Sequence, residues 1–304
     1  MKSFCKYICV SLLTVIPYLA SAQALPFTAV DYSPLALAKG SVSAVETSSV
    51  AYAAFGNPAS MAFSEKTADL GASYVSWSPS QVKTTMINAG GSYKVNDKIG
   101  VAAAYTEGSY EAYESFDLAG VSKGMFTPKQ MYAGLGLSYK FNDALAFGVN
   151  AGYASQTFAE EVSYSALSAD IYAMYVAGKM RFAAGLTELG PAVVSESGEF
   201  SLPAAVRLGC GYDVMDEADH FVSVAVDASY YLAGSVAAAF GASYEFKDML
   251  AFRAGYRYGG ESVLPSFASA GLGIKFAGVS LDLAYLFAGE TLSNTLCVGL
   301  GYSF

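Results

Sequence analysis

Residues 250–258 read LAFRAGYRY, and their nine side chains fall into two sets. Leu250, Phe252, Ala254, Tyr256 and Tyr258 are apolar or aromatic, whereas the intervening Ala251, Arg253, Gly255 and Arg257 are small or cationic. Successive side chains of a β-strand point to opposite faces, so one face suits an apolar medium and the other an interior that holds two guanidinium groups. A strand of a soluble sandwich does the reverse, with Lys, Glu and Thr turned to water. Residues 220–231 obey the same rule: Val222, Val224, Val226 and Ala228 share one face, and Ser223, Ala225, Asp227 and Ser229 the other.

Working outward, segments of about ten residues with this alternation follow one another from 68–77 to 294–304. About 14 can be delimited, an even number that matches single-chain bacterial barrels. A hairpin unit recurs as GSYKVNDKIGVAAAY, LSYKFNDALAFGVNAGY and ASYEFKDMLAFRAGYRY, each with Tyr, a charge and a turn at the same offsets. Tight connections at Asn96-Asp97, Asn142-Asp143, Gly178, Lys247-Asp248 and Ala277-Gly278 alternate with longer ones, the asymmetry expected of periplasmic turns and external loops. The chain ends on LCVGLGYSF, an alternating strand closed by Phe304. The fold expected is all-β, a transmembrane antiparallel barrel of about 14 strands with an N-terminal plug.

Composition agrees. The 304 residues are 54% hydrophobic and only 14% charged, with 30 Gly, 23 Tyr and 19 Phe, yet no apolar run after residue 22 could span a bilayer as a helix. Residues 1–22, with Lys2 and Lys6 ahead of a short apolar core and Ala20-Ser21-Ala22 at its end, read as a cleavable secretory signal. Residues 23–67 lack strand periodicity and read as a plug or hatch, and 68–304 as the barrel, integral to a bacterial outer membrane. Without the signal, 15 basic residues oppose 26 acidic ones, a formal charge of −11, which disfavours nucleic acid as a partner. A Cys210–Cys297 disulfide is disfavoured because the pattern puts the two on opposite faces of their strands.

No catalytic residue, metal site or cofactor site is expected. His220 is the sole histidine, in a turn beside Asp216, Glu217 and Asp219, and no nucleophile motif such as G-x-S-x-G occurs. The interior charges of interest are Arg207, Asp227, Arg253, Arg257 and Asp282, whose mixed signs suit ion pairs across the lumen, with a selectivity or substrate role as the alternative. The longest external segment, 106–130, interleaves acids with Tyr110, Tyr113 and Phe116. These are candidates for a partner surface, or for a lid folded over the barrel mouth.

The stretch before the first strand holds Pro26-Phe27, Ser33-Pro34, Ala38-Lys39-Gly40 and Asn57-Pro58-Ala59, followed by SYVSWSP with Tyr74, Trp77 and Pro79. Over residues 25–80 it resembles the opening of the PorV/PorQ family, within the FadL-like barrels. On its own residues, Asn57-Pro58-Ala59 is a turn that starts a short helix. The PorV/PorQ resemblance implies a non-enzymatic partner of a secretion (type IX-like) translocon or other outer-membrane complex. The FadL-like one implies uptake of small hydrophobic molecules, and composition alone allows a structural barrel without transport. Lipid is the partner common to all three.

Overall fold

The computed structural model describes residues 23–77, 84–117, 120–160, 162–195, 198–260, 264–289 and 295–304. The expected signal, 1–22, lies outside them. Fourteen antiparallel strands close into a barrel: β1 (Ala68–Trp77), β2 (Thr84–Lys94), β3 (Ile99–Tyr110), β6 (Lys129–Lys140), β7 (Leu145–Ala159), β8 (Val162–Ala177), β9 (Met180–Leu189), β12 (Ala205–Asp216), β13 (His220–Tyr231), β14 (Val236–Phe246), β15 (Leu250–Tyr258), β16 (Phe267–Phe276), β17 (Val279–Ala288) and β18 (Thr295–Ser303). Two small hairpins stand at the long-loop end, β4 (Tyr113–Phe116) with β5 (Ser122–Phe126), and β10 (Val193–Ser195) with β11 (Gly198–Phe200). The seam pairs β1 with β18 from Asp69 opposite Ser303 to Ser76 opposite Leu296. Beyond it, the carbonyl of Phe304 accepts from the amides of Thr67 and Ala68 at 2.8 and 2.9 Å.

Burial follows the alternation read from the sequence. In β15 Phe252 is 51% exposed while Arg253 beside it is 6% exposed, and outward residues elsewhere reach 68% at Leu135 and 74% at Phe276. An apolar band this continuous around a closed sheet has one compatible surrounding, lipid hydrocarbon. The tight turns keep their register through local chemistry. The Asn96 side-chain oxygen accepts the amides of Lys98 and Ile99, and Asn142 does the same for Ala144 and Leu145. Lys247-Asp248 and Ala277-Gly278 instead carry positive φ at both positions, the twist that a two-residue hairpin needs.

Residues 23–67 fill the lumen with short turns rather than strands: 3-10 turns at Pro26–Ala29, Ala53–Phe55 and Pro58–Ala62, and one short helix, α1 (Pro34–Ala38). Leu37, Ala38, Val42, Ala44, Ala54 and Ala59 are 1% exposed or less. Cys210 and Cys297 are both free, the second buried inside the wall.

Candidate functional site

The segment inside the barrel is held by wall side chains that bond to its backbone. Asp227 is the centre of one clamp: its Oδ2 accepts the amides of Ser43 and Ala44, each at 2.9 Å, and pairs with Arg207 Nη2 at 2.8 Å. Arg207 in turn donates to the Ser41 carbonyl and Ser43 Oγ, with Asp31 at 3.9 Å. Asp69 forms a second clamp, accepting from the amides of Val50 and Ala51 and from Ser49 Oγ through Oδ2, while Oδ1 accepts from Ser303 Oγ. Asn150 Nδ2 donates to the Gly56 carbonyl at 2.8 Å, and Ser269 Oγ both accepts from Gly40 N and donates to the Ala38 carbonyl. A segment without regular structure has unpaired peptide groups, and these wall groups satisfy them where water is scarce.

Glycines in the wall let the backbone come that close. A methyl group at Gly255 would fall on the peptide between Lys39 and Gly40, one at Gly148 on the amide of Ala59, and one at Gly241 would stand 2.6 Å from Lys39 Cβ. Gly40 itself has φ +71, and a methyl group added to it would stand 2.8 Å from the Tyr256 backbone. Asn57-Pro58-Ala59 sits at the other contact. Asn57 caps the turn by accepting from Ala59 N and ties it to the Ala44 carbonyl at 2.7 Å, and Pro58 packs on Gly136 and Gly148.

The five interior charges do not behave alike. Arg207 pairs with Asp227, and Arg253 pairs with Asp282 at 2.7 Å and lies 3.8 Å from Glu245. Arg257, 6% exposed, takes part in no ion pair among the described residues. Its Nη2 meets the Tyr231 hydroxyl at 3.3 Å, and its Nε has no partner. Within the plug Lys39 pairs with Glu46. Burial alone would raise the Glu46 carboxyl, but the Lys39 ammonium and the Ser48 donors outweigh it and hold the group well below the usual carboxylate range.

Apolar clusters occur at both ends of the lumen. Two lie toward the long loops, one built from Leu25, Phe27, Tyr132, Ala154, Val193 and Leu202, another from Tyr32, Val75, Met86, Leu264, Phe267 and Leu286, and a third, of Ala44, Val45, Ala59, Ala146, Tyr172 and Met174, lies toward the short turns. At the short-turn end a cavity of about 440 Å³ opens between Phe63–Lys66 and the wall, lined by Asp216, Glu217, His220, Glu245, Lys247 and Lys275 among others.

The candidate loop residues do not form one surface. Tyr110 ends β3 and turns in, donating to Gln130 at 2.6 Å and accepting from Gln156 at 2.9 Å. Tyr113 donates to the Phe158 carbonyl and packs edge-on against Phe126, whereas Phe116 stays 56% exposed. Within the segment 106–130, expected as one external loop, β3 instead runs on to Tyr110 and a hairpin follows, whose strands YESF and SKGMF carry no alternation that would mark them. The wall groups that bond to the plug backbone, Asp69, Asn150 and Ser269, carry no signal in the sequence, since a polar residue on an inward face has no distinguishing pattern.

No protein-family model matches the sequence, and no curated protein matches it. Among solved structures, the toluene transporter TbuX of Ralstonia pickettii superposes with a TM-score of 0.61 at 14% identity, over 90% of this chain and 97% of that one. The toluene transporter TodX of Pseudomonas putida gives 0.63 at 14% over 90% and 97%, and the monoaromatic hydrocarbon channel CymD 0.63 at 13% over 93% and 99%. A FadL homologue of Pseudomonas aeruginosa gives 0.53 at 13%, over 90% and 95%. The fold is that of the FadL-like channels. At these identities the likeness is one of architecture, and it includes neither an enzyme nor a secretion protein among these four.

Proposed function

We propose that this chain is an outer-membrane channel for small hydrophobic molecules, closed at rest by residues 23–67. One observation carries the reading: the half of the lumen toward the external loops is lined by apolar clusters shared between plug and wall, in a barrel of the same fold as channels described for toluene and monoaromatic hydrocarbons. An apolar solute gains by leaving water for such a surface, whereas an ion or sugar does not. The polar cavity at the opposite end then serves as the exit toward the periplasm. The test is uptake of radiolabelled toluene into proteoliposomes that contain the mature chain. Accumulation faster than through protein-free vesicles is expected, and equal rates would sink the reading.

A secretion-partner role has its support in the sequence resemblance over residues 25–80 and in the exposed apolar tip of the external hairpin, where Phe116, Val121 and Met125 are 56%, 61% and 70% exposed. Co-purification from native membrane of a stoichiometric partner, lost on Phe116→Ser with Met125→Ser, would favour it over uptake.

A further inference from the structure

We infer that Glu188 and Asp170 of the wall, with Asp31 of the plug, form a binding site for a small monovalent cation of sodium size, and that the bound ion locks the first turn of the plug to the barrel. The inference goes beyond the uptake reading and holds whichever solute the barrel carries. Its first support is a break in the wall's own alternation. Between the pairs Ala169 with Leu189 and Ile171 with Leu186, two residues of β9, Thr187 and Glu188, stand opposite the single Asp170 of β8. Strict alternation would put Glu188 on the lipid face with Leu186, which is 42% exposed. The extra residue, with Glu188 at φ +53, turns the carboxylate inward instead, to 8% exposure. Asp170 Oδ1 accepts the Glu188 amide at 2.7 Å and so holds the bulge in place. A left-handed backbone at a residue with a Cβ is costly, and such strain gathers where a side chain is aimed at a ligand.

Glu188 is aimed into a cavity of about 40 Å³ between wall and plug, bordered by Thr28, Asp31, Asp170 and Arg207 among others. That volume suits an ion or one or two waters. The charges around it do not balance. Arg207 is committed to Asp227 at 2.8 Å, and Asp31 reaches it only at 3.9 Å. Arg257, which does not line the cavity, meets the Tyr231 hydroxyl at its edge at 3.3 Å. Two guanidiniums are thereby set against four carboxylates, those of Asp31, Asp170, Glu188 and Asp227. Glu188 Oε2 is moreover buried with no hydrogen-bond partner, a state in which a carboxylate needs a counter-charge. A proton placed on that oxygen would find no acceptor, whereas a cation would find several oxygens in reach. Asp31 and Thr28 come from the plug, and the Thr28 hydroxyl gives its proton to the Leu25 carbonyl, which leaves its lone pairs for an ion. Among the described residues no three carboxylates, histidines or cysteines converge to hold a metal, the arrangement a divalent ion would want, so the site suits a single positive charge.

Equilibrium dialysis of radioactive sodium against the folded mature chain in detergent tests the site, with choline chloride holding the ionic strength constant. The wild type is expected to bind about one ion per chain, and Glu188→Gln to bind it about tenfold more weakly or worse. Replacing choline by sodium should raise the temperature at which the wild-type folded band disappears on gels by about 3 °C, and should leave Glu188→Gln unmoved. Amide hydrogen exchange over residues 28–31, followed by mass spectrometry, should slow in sodium for the wild type alone. Asp31→Asn, a change on the plug, gives a second variant should Glu188→Gln fail to fold, and is expected to weaken binding in the same direction. No bound sodium in the wild type, or equal binding by the folded variants, overturns the site. Stabilisation that follows falling pH and ignores sodium overturns it too, with a proton on Glu188 in the ion's stead. Binding without slower exchange over residues 28–31 overturns the lock. None of these outcomes bears on toluene uptake, so the two readings fail separately.

Discussion

Asp227 illustrates what a single side chain does in this lumen. It neutralises Arg207 and accepts two plug amides with the same oxygen, so its loss strands a cation and two peptide donors together. Asp227→Ala is expected to lower stability by about 3–5 kcal/mol, the range for breaking one half of a buried pair. The temperature at which the folded band disappears on gels would measure it. Asp227→Asn, which keeps an acceptor but no charge, should fall between. That Asp227 and Arg207 face inward was legible in the strand alternation, because a period of two assigns every residue of a strand to a face. What they bond to was not, since the partner is the backbone of a segment with no period at all.

Turns and glycines carry the argument at the level of elements. Strand boundaries came out of the sequence closely because each tight turn is marked by its own residues, Asn-Asp where a side chain supports the turn and Ala-Gly or Lys-Asp where the backbone takes positive φ. Ala277 adopts φ +49 with a methyl group in place. Ala277→Gly should therefore stabilise the β16–β17 hairpin by about 1 kcal/mol, read as a raised unfolding temperature. Gly255→Ala should act in the opposite sense. Its methyl would meet the Lys39–Gly40 peptide, backbone that cannot rotate away, so about 1–3 kcal/mol of overpacking is expected, together with a displaced plug. Enhanced reactivity of a cysteine placed at Ser41 would report the displacement. The two external hairpins escaped notice for a physical reason: three to five residues per strand are too few for alternation to stand out from chance.

For the molecule as a whole, the outward band and the filled lumen make separate predictions. Phe252→Arg puts a charge on the lipid face of β15 and should cost about 2–4 kcal/mol near mid-bilayer, seen as poor insertion into vesicles. Deletion of residues 24–66 should convert a barrel that is silent in planar-bilayer recordings into a conducting one. Large, stable conductance from the intact mature chain would contradict the closed state. The closed, lipid-facing architecture was readable from sequence because bilayer and wall repeat the same two-residue rule fourteen times. The pairing of the inward charges was less so, because it is decided by distances across the barrel.

One consequence concerns the order of assembly. The plug lies upstream of β1 in the chain, while the strand that seals β1, β18, is the barrel strand farthest from it in sequence. A wall this tightly apposed to its filling offers no later entrance for some forty residues, so the plug must already be gathered inside a curved, unsealed sheet when the final strand arrives. Asp69 stands at the meeting point, one oxygen toward Ser303 of the closing strand and the other toward Ser49, Val50 and Ala51 of the filling. Its substitution should slow closure and seating as one kinetic event.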